Sequence, residues 1–294
     1  MTSITVTGAS GKAGGAVVRD LLERGYDVVA TDQRPSPHDI GAPVMVADLT
    51  DHGQAVEVLA RSEAVVHLAN IPAPGMATPA TTFNRNTTMN TNVFLAAAQL
   101  GLRRVVWASS ETTLGLDFDE GNPPRYAPVD EQHYPVPRST YALSKVVSET
   151  AAHHIAQWSE TSFIGLRLSN IHLAEDYARV PGYWGDAHSR KWNLWGYIDV
   201  RDFALACRLA LDAPVSDAEN VIIAAADTIM NKPSADLMRE VFPGVPLTRD
   251  LRANETLLAI DQAHDVLGFF PEHSWRDAIS VDGPDNNYTN DGDA

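Results

Sequence analysis

The chain has 294 residues, 44% of them hydrophobic, with 22 basic against 38 acidic side chains and a net charge of −16. That is enough apolar material for one large α/β core or two smaller ones, and the charge repels nucleic acid and anionic membrane, which leaves a small-molecule ligand as the expectation. The opening "MTSITVTG" lacks a basic n-region and a long apolar core, no apolar run reaches the roughly 20 residues of a membrane span, and a cytoplasmic protein is expected.

In chain order, "SITVTG" reads as a strand, "AGGAVVRDLLERG" as a helix stopping at Gly25, and "YDVVAT" as a second strand, which together make a βαβ unit. The alternation continues through "APVMVAD", a helix over "GQAVEVLARS", the strand "AVVHLA", a long helix ending in "TNVFLAAAQLG", and the strand "RRVVWASS". A helix opens at "YALSK", followed by the strand "SFIGLRLS" and an irregular stretch rich in Trp, Tyr and Gly from about 173 to 198. A helix at 202 to 211 and the strand "NVIIAAA" return to the main sheet. The helices "SADLMREVF" and "DQAHDVLGF" then belong to a small second lobe. Short strands with helical crossovers predict an α/β fold whose parallel sheet is doubly wound. The expected division is a nucleotide-binding core over 1–170, rejoined by 199–226, and a substrate-binding lobe from 171–198 and 227–281. The acidic tail 282–294 is expected to be disordered. The single cysteine, Cys207, lies in the apolar "FALACRLAL", so it reads as a core side chain and disulfides within the chain are excluded.

Between the first strand and helix stands "TGASGKAGG", with Gly8, Gly11 and Gly14. Glycines there permit a tight turn and close approach of backbone to a pyrophosphate, while the helix N-terminus offers free N–H groups and a positive dipole. The spacing is G-x-x-G-x-x-G, and its position after the first strand points to a dinucleotide in a Rossmann-type core. Asp32, at the end of the next strand, suits adenosine ribose hydroxyls and favours NAD; Arg34 is placed to pair with a 2′-phosphate, so NADP stays open. Asp48 of "VADLTD" suits an adenine contact or a helix cap. In "YALSK", Tyr141 and Lys145 lie four apart and share one helix face. A tyrosine with a pKa near ~10 needs a shift of up to ~3 units, about 4 kcal/mol, to act as a base near neutrality. Lys145, helped by a positive nicotinamide ring, is expected to supply much of it.

Together these residues resemble the extended short-chain dehydrogenase/reductase family, in its NAD-dependent epimerase/dehydratase branch. "VVWASSETTLG" is similar to the family's serine-bearing strand end, "YALSK" to its Tyr-x-x-x-Lys signature, "NRNTTMNTNVFLAAA" to its central helix with Asn86 and Asn92 in the asparagine positions, and "AIDQAHDVLGFFP" to a common packing segment. Counting back from Gly115 puts Ser110, not Ser109, at the catalytic position. The resemblance implies Ser110, Tyr141 and Lys145 as catalytic residues, with Lys145 also on the nicotinamide ribose. It implies a cofactor shell of Gly8, Ser10, Gly11, Lys12, Ala13, Gly14, Asp32, Asp48, Leu49, Leu68, Ala69, Asn70 and Asn92 around NAD. It further implies a homodimer through the long helices at about 80 to 100 and 139 to 158.

For the substrate, the candidates are Ser110, Glu111, Thr112, Asn170 and Arg190, with Tyr183, Trp184 and Trp192 as flat apolar surface suited to a sugar ring or to packing. Nucleotide-sugar members usually carry an arginine before "Y-I-x-V-x-D"; here Trp195 and Gly196 stand there, which removes an anchor worth ~1.5–3 kcal/mol. The "WASS" region looks closer to uronate dehydrogenase-like members, although Glu111 and Thr112 depart from their pattern. Adjacent His153 and His154 point apart, so no metal is expected. His133 and Tyr134 read as solvated loop residues, and the N-x-T triplets at Asn86, Asn254 and Asn287 carry no information. The leading reading is an NAD-dependent oxidoreductase of a sugar-like secondary alcohol or carbonyl. The others are a nucleotide-sugar epimerase or dehydratase with tightly held NAD, and a dinucleotide-sensing regulator without catalysis.

Overall fold

The computed structural model describes residues 2–133 and 135–279, so Tyr134, Asn287 and the acidic tail lie outside the described residues. In chain order the elements are β1 (Ser3–Thr7), α1 (Lys12–Glu23), β2 (Asp27–Asp32), β3 (Val44–Val46), α2 (His52–Leu59), β4 (Ala64–His67), α3 (Pro79–Leu100), β5 (Arg104–Ala108), α4 (Thr140–Trp158), β6 (Ser162–Leu168), β7 (Ile171–His172), β8 (Ile198–Asp199), α5 (Val200–Asp212), β9 (Ala218–Ile223), α6 (Ser234–Val241), α7 (Asp261–Leu267) and α8 (Trp275–Ala278). Seven strands form one parallel sheet in the order β3-β2-β1-β4-β5-β6-β9. The sequence order reverses between β1 and β4, and a crevice opens there at the carboxyl ends of the strands, as doubly wound sheets require.

The alternation of side chains along each strand divides the core. Val66, Val106 and Ile164 face α1 and α5, packing with Val17, Leu21, Phe203 and the buried Cys207. Val65, Val105 and Phe163 face the opposite layer with Leu59, Val93, Phe94 and Ile155. Burial of both faces explains why these strands are near-continuous apolar runs. Only three residues of the expected strand "APVMVAD" pair, because this is the sheet edge and Met45 and Val46 are exposed.

Helix ends follow local chemistry. Ser139 accepts from the Ala142 amide at 3.1 Å to start α4, and Pro79 opens α3, which stops at Gly101 with φ +71°. The stretch from 173 to 198 holds short 3-10 turns, Ala174–Tyr183 and Lys191–Asn193. A third apolar cluster joins it to the C-terminal part: Trp195, Tyr197, Leu237, Phe242, Leu257 and Trp275 are fully or nearly fully buried together. Leu114, Leu116, Phe118, Ala127 and Val129, between β5 and α4, belong to this cluster as well.

Phe94 meets Trp107 and Phe163 edge-on, each with ring centroids 5.3 Å apart, at the centre of the layer that carries α3 and α4. Phe94→Ala is expected to cost about 3–5 kcal/mol in unfolding free energy by urea titration.

Candidate active site

A cleft of about 850 Å³ runs along the carboxyl ends of β1, β2, β4, β5 and β6, lined at one end by Gly8, Gly11, Lys12, Ala13, Gly14 and Asp32 and at the other by Ser110, Glu111, Thr112, Tyr141 and Asn170. The glycine loop is as tight as backbone allows. A Cβ on Gly14 would stand 2.1 Å from the Gly8 carbonyl oxygen, and one on Gly8, at φ +69°, would stand 2.8 Å from the Ala69 nitrogen. Gly11 caps α1 without a side chain, so the first-turn N–H groups stay free for an anion. At the end of β2, Asp32 Oδ2 accepts from the Ser10 amide at 3.0 Å. Asp48 is held ionised below the usual carboxylate range by the backbone and hydroxyl of Thr50. A close-packed glycine cradle, an open helix N-terminus and two carboxylates suit a dinucleotide's pyrophosphate and adenosine. Lys12 reaches across the cleft, donating to the Ile171 carbonyl at 3.1 Å and to Asp176 Oδ2 at 3.0 Å.

At the other end, α4 presents a buried polar face. The Lys145 ammonium donates to the Ala108 carbonyl at 2.7 Å. One turn further, Glu149 accepts from Ser109 Oγ at 2.6 Å and takes two bonds of 2.9 Å from Arg167. Ser148 accepts from Asn90 at 2.7 Å, and Asn90 in turn meets His67 and Asn70. With Ser109 engaged by Glu149, Ser110 is the serine that faces Tyr141. Thr112 donates to Ser110 Oγ through its amide (3.2 Å) and its hydroxyl (2.9 Å), which leaves the Ser110 proton to donate elsewhere.

Burial governs the ionisation of this site. It drives Tyr141 up to about 12, against the pull of the Ser110 hydroxyl, with the Glu111 charge adding to the rise. It drives Lys145 down to about 7, with Glu149 opposing. The lowering of Tyr141 expected from Lys145 is therefore absent in the protein alone. Desolvation outweighs a neighbour 5.5 Å from the ring centroid that is itself losing its charge near neutrality. Glu111, 3% exposed, is raised by burial to about 7.

Other expected residues fall elsewhere. Asn92 does not line the cleft; its amide donates to the Leu49 carbonyl at 3.0 Å and so supports the Asp48–Leu49 wall from behind. Ser10 also stands off the lining, its hydroxyl on the Arg34 carbonyl. Arg190 is sandwiched between Tyr183 and Trp192 and donates to Asn170 Oδ1 at 3.2 Å, behind the lining. Of the three lobe aromatics, Trp192 lines the cleft, whereas Trp184 packs on Trp275. His133 is buried, not solvated, with Nε2 accepting from the Arg125 amide. Leu49, Leu68, Ala69, Asn70 and Thr112 do line the cleft. The anchors Asn90 and Glu149, and the lining residue Ser169, escaped the sequence reading. Glu149 and Asn90 carry a spacing signal, four residues beyond Lys145 and Asn86 on the same helix faces.

Residues 4–226 match the NAD dependent epimerase/dehydratase family. The chain belongs to that family. It is an enzyme whose family cofactor is NAD, and the cradle described above fits that group. Relatives include an NAD-dependent glucose-6-phosphate dehydrogenase of Haloferax volcanii, 27% identical over 62% of this chain and 74% of its own length. A UDP-glucose 4-epimerase of Rhizobium leguminosarum bv. trifolii is 24% identical over 94% of this chain and 95% of its own. In fold, a short-chain dehydrogenase/reductase superfamily protein of Agrobacterium tumefaciens, solved with bound NAD, superposes with a TM-score of 0.72 at 21% identity, covering 94% of each chain.

Glu111 and Lys145 make opposite marks on stability. Glu111, shifted from an ordinary 4.5 to about 7, keeps in the folded state a proton that the unfolded chain releases, so its contribution is full below pH 4.5 and is lost as pH rises to about 7. Lys145, shifted from 10.5 to about 7, sheds a proton that the unfolded chain keeps, so stability rises with pH from about 7 to 10.5. Glu111→Gln is expected to flatten the fall between pH 4.5 and 7, on the order of 3 kcal/mol, in urea titrations across that range.

Proposed function

We propose that the protein is an NAD-dependent oxidoreductase acting on a secondary alcohol or carbonyl of a sugar or sugar-like substrate, with Tyr141 as the acid/base. The observation that carries this reading is the convergence of Ser110, Tyr141 and Lys145 at the end of one cleft whose other end is the glycine cradle. Gly8, Gly11, Gly14 and Asp32 would hold NAD, which would supply the acceptor for the hydride of the carbinol carbon. Tyr141 takes the hydroxyl proton in oxidation and returns it in reduction, Ser110 holds the substrate oxygen, and Lys145, when protonated, supplies positive charge beside the phenol. A tyrosine pushed to about 12 is protonated at neutral pH and thus ready as the acid for carbonyl reduction. Oxidation asks for the phenolate.

The second reading, a nucleotide-sugar epimerase or dehydratase, is favoured by the full-length similarity to UDP-glucose 4-epimerase. Against it stands Trp195, fully buried with Nε1 on the Ala187 carbonyl, at the position where such members carry a diphosphate-binding arginine. Net NADH accumulation with a sugar panel supports the oxidoreductase, and turnover without NADH supports the epimerase.

The third apolar cluster, with its 3-10 turns, serves as the substrate lobe. No described helix is long and apolar enough to cross a membrane. Separately, a cytoplasmic homodimer is part of the same proposal. Its interface is the α3/α4 face, where Leu95, Leu143 and Val147 are each 39–40% exposed.

In steady-state assays, Tyr141→Phe is expected to lower kcat by about 10²–10⁴-fold with NADH affinity unchanged in fluorescence titration, and wild-type oxidation is expected to accelerate with pH through the alkaline range while reduction stays flat. Full activity in this variant would refute the Tyr141 assignment. A Leu143→Asp, Val147→Asp double variant is expected to run as a monomer in light scattering, and a persistent dimer would place the interface elsewhere.

A further inference from the structure

Lys12 is the first residue of α1, directly after the Gly11 cap, and no acidic side chain shares its turn. A cation there sits at the positive end of the helix dipole, which is unfavourable unless anions stand beside it, so the helix alone does not account for this lysine. Its partners lie across the cleft. The ammonium donates to the Ile171 carbonyl at 3.1 Å and to Asp176 Oδ2 at 3.0 Å, 159 and 164 residues away in the chain. Lys12 follows β1, whereas Ile171 follows β6 and belongs to the separate β7-β8 sheet, and β4 and β5 stand between β1 and β6. The bridge thus joins the two banks of the cleft past the carboxyl ends of β4 and β5, and both Lys12 and Ile171 line that cleft.

The acceptor is set independently of the lysine. Asp176 Oδ2 accepts from the Leu173 amide at 2.9 Å while the Asp176 amide donates to the Leu173 carbonyl at 3.0 Å, so the carboxylate is fixed by its own turn. On its other oxygen, Oδ1, Asp176 meets Arg179 at 3.8 Å. The Lys12 and Asp176 side chains are 42% and 20% exposed, and a pair so placed adds little to folding and can open and reclose. The free amides of α1, which suit a pyrophosphate, begin at the residue that carries the bridge. We propose that Lys12 and Asp176 form a latch on the bound dinucleotide, in which Lys12 closes the cleft between the glycine cradle and the segment after β6 and Asp176 is the positioning residue that holds it closed, so that the pair sets how fast NAD and NADH exchange. The latch needs only the cofactor and holds for an oxidoreductase and an epimerase alike.

Stopped-flow NADH fluorescence on the full chain gives the association rate on mixing and the release rate on chasing with excess NAD. Asp176→Asn keeps an acceptor for the Leu173 amide but loses the charge, and it is expected to speed association and release together by about fivefold, with Kd within about twofold of wild type. Lys12→Met keeps the aliphatic stem and is expected to speed release at least as much with association no slower, whereas loss of a mere phosphate-binding charge speeds release and slows association. The double variant is expected to match Lys12→Met alone, because each change breaks the same bridge, and Asp176→Glu to hold release near the wild-type rate. Unchanged rates in both single variants, slower association in Lys12→Met, or effects that multiply in the double variant would overturn the latch. So would slower release with tighter binding in Asp176→Asn, the mark of a carboxylate that competes with the pyrophosphate for Lys12. Should Asp176→Asn lower the Tm of the protein, Lys12→Met judges alone, and unchanged release there refutes the latch.

Discussion

The site depends on how α4 is seated. Most helices covering a parallel sheet press a stripe of aliphatic side chains against it, but the face of α4 at the carboxyl end of β5 carries Tyr141, Ser144, Lys145, Ser148 and Glu149, all buried. Each polar group there has a specific partner: Lys145 the Ala108 carbonyl, Ser148 the Asn90 amide, Glu149 the pair of Ser109 and Arg167. Such contacts are directional. A greasy stripe would let the helix slide or rotate by small amounts at little cost, whereas a buried ion pair and a buried ammonium hold one register, since any slip leaves a charge without its partner. The phenol of Tyr141 is thus placed relative to Ser110 by interactions made one and two turns further along the same helix.

The same burial that fixes geometry also sets protonation. Three ionisable groups share the dry end of the cleft, and desolvation moves each toward its neutral form: Tyr141 and Glu111 upward, Lys145 downward. Two of them arrive close to neutrality from opposite directions. The end of the cleft therefore changes its net charge over a narrow pH interval, without exposed histidines taking part. His67 and His172 nearby are held neutral by burial.

Much of this was legible in the sequence because it rests on short-range rules. The glycine triplet after β1, the ordered alternation of strands and helices, and the i, i+4 pair on α4 each follow from local geometry. What the sequence hides is long-range partnering. Nothing near Glu149 in the chain announces Arg167, which lies on the next strand, and nothing near Glu111 announces Asn193, 82 residues away. Asn92 misled for the complementary reason. Asn86, Asn90 and Asn92 recur within two turns of α3, and the rotation of the helix, set by its packing on α4 and the sheet, turns Asn90 into the buried network and Asn92 toward Leu49. Residues 114–129 similarly read as part of the first unit, although their apolar side chains pack with the lobe that bridges to them through Leu247 and Leu258.

The fit between Gly8 and Gly14 also limits how this enzyme can diversify. With a backbone oxygen already where a side chain would begin, the turn has no intermediate shapes available, and substitution there meets a steric wall instead of a graded response. Adaptation to a differently decorated nucleotide must therefore occur at the tip of β2, where Ser10 bonds the Asp32 carboxylate and the Arg34 carbonyl and the side chains of both residues can be exchanged without disturbing the phosphate cradle.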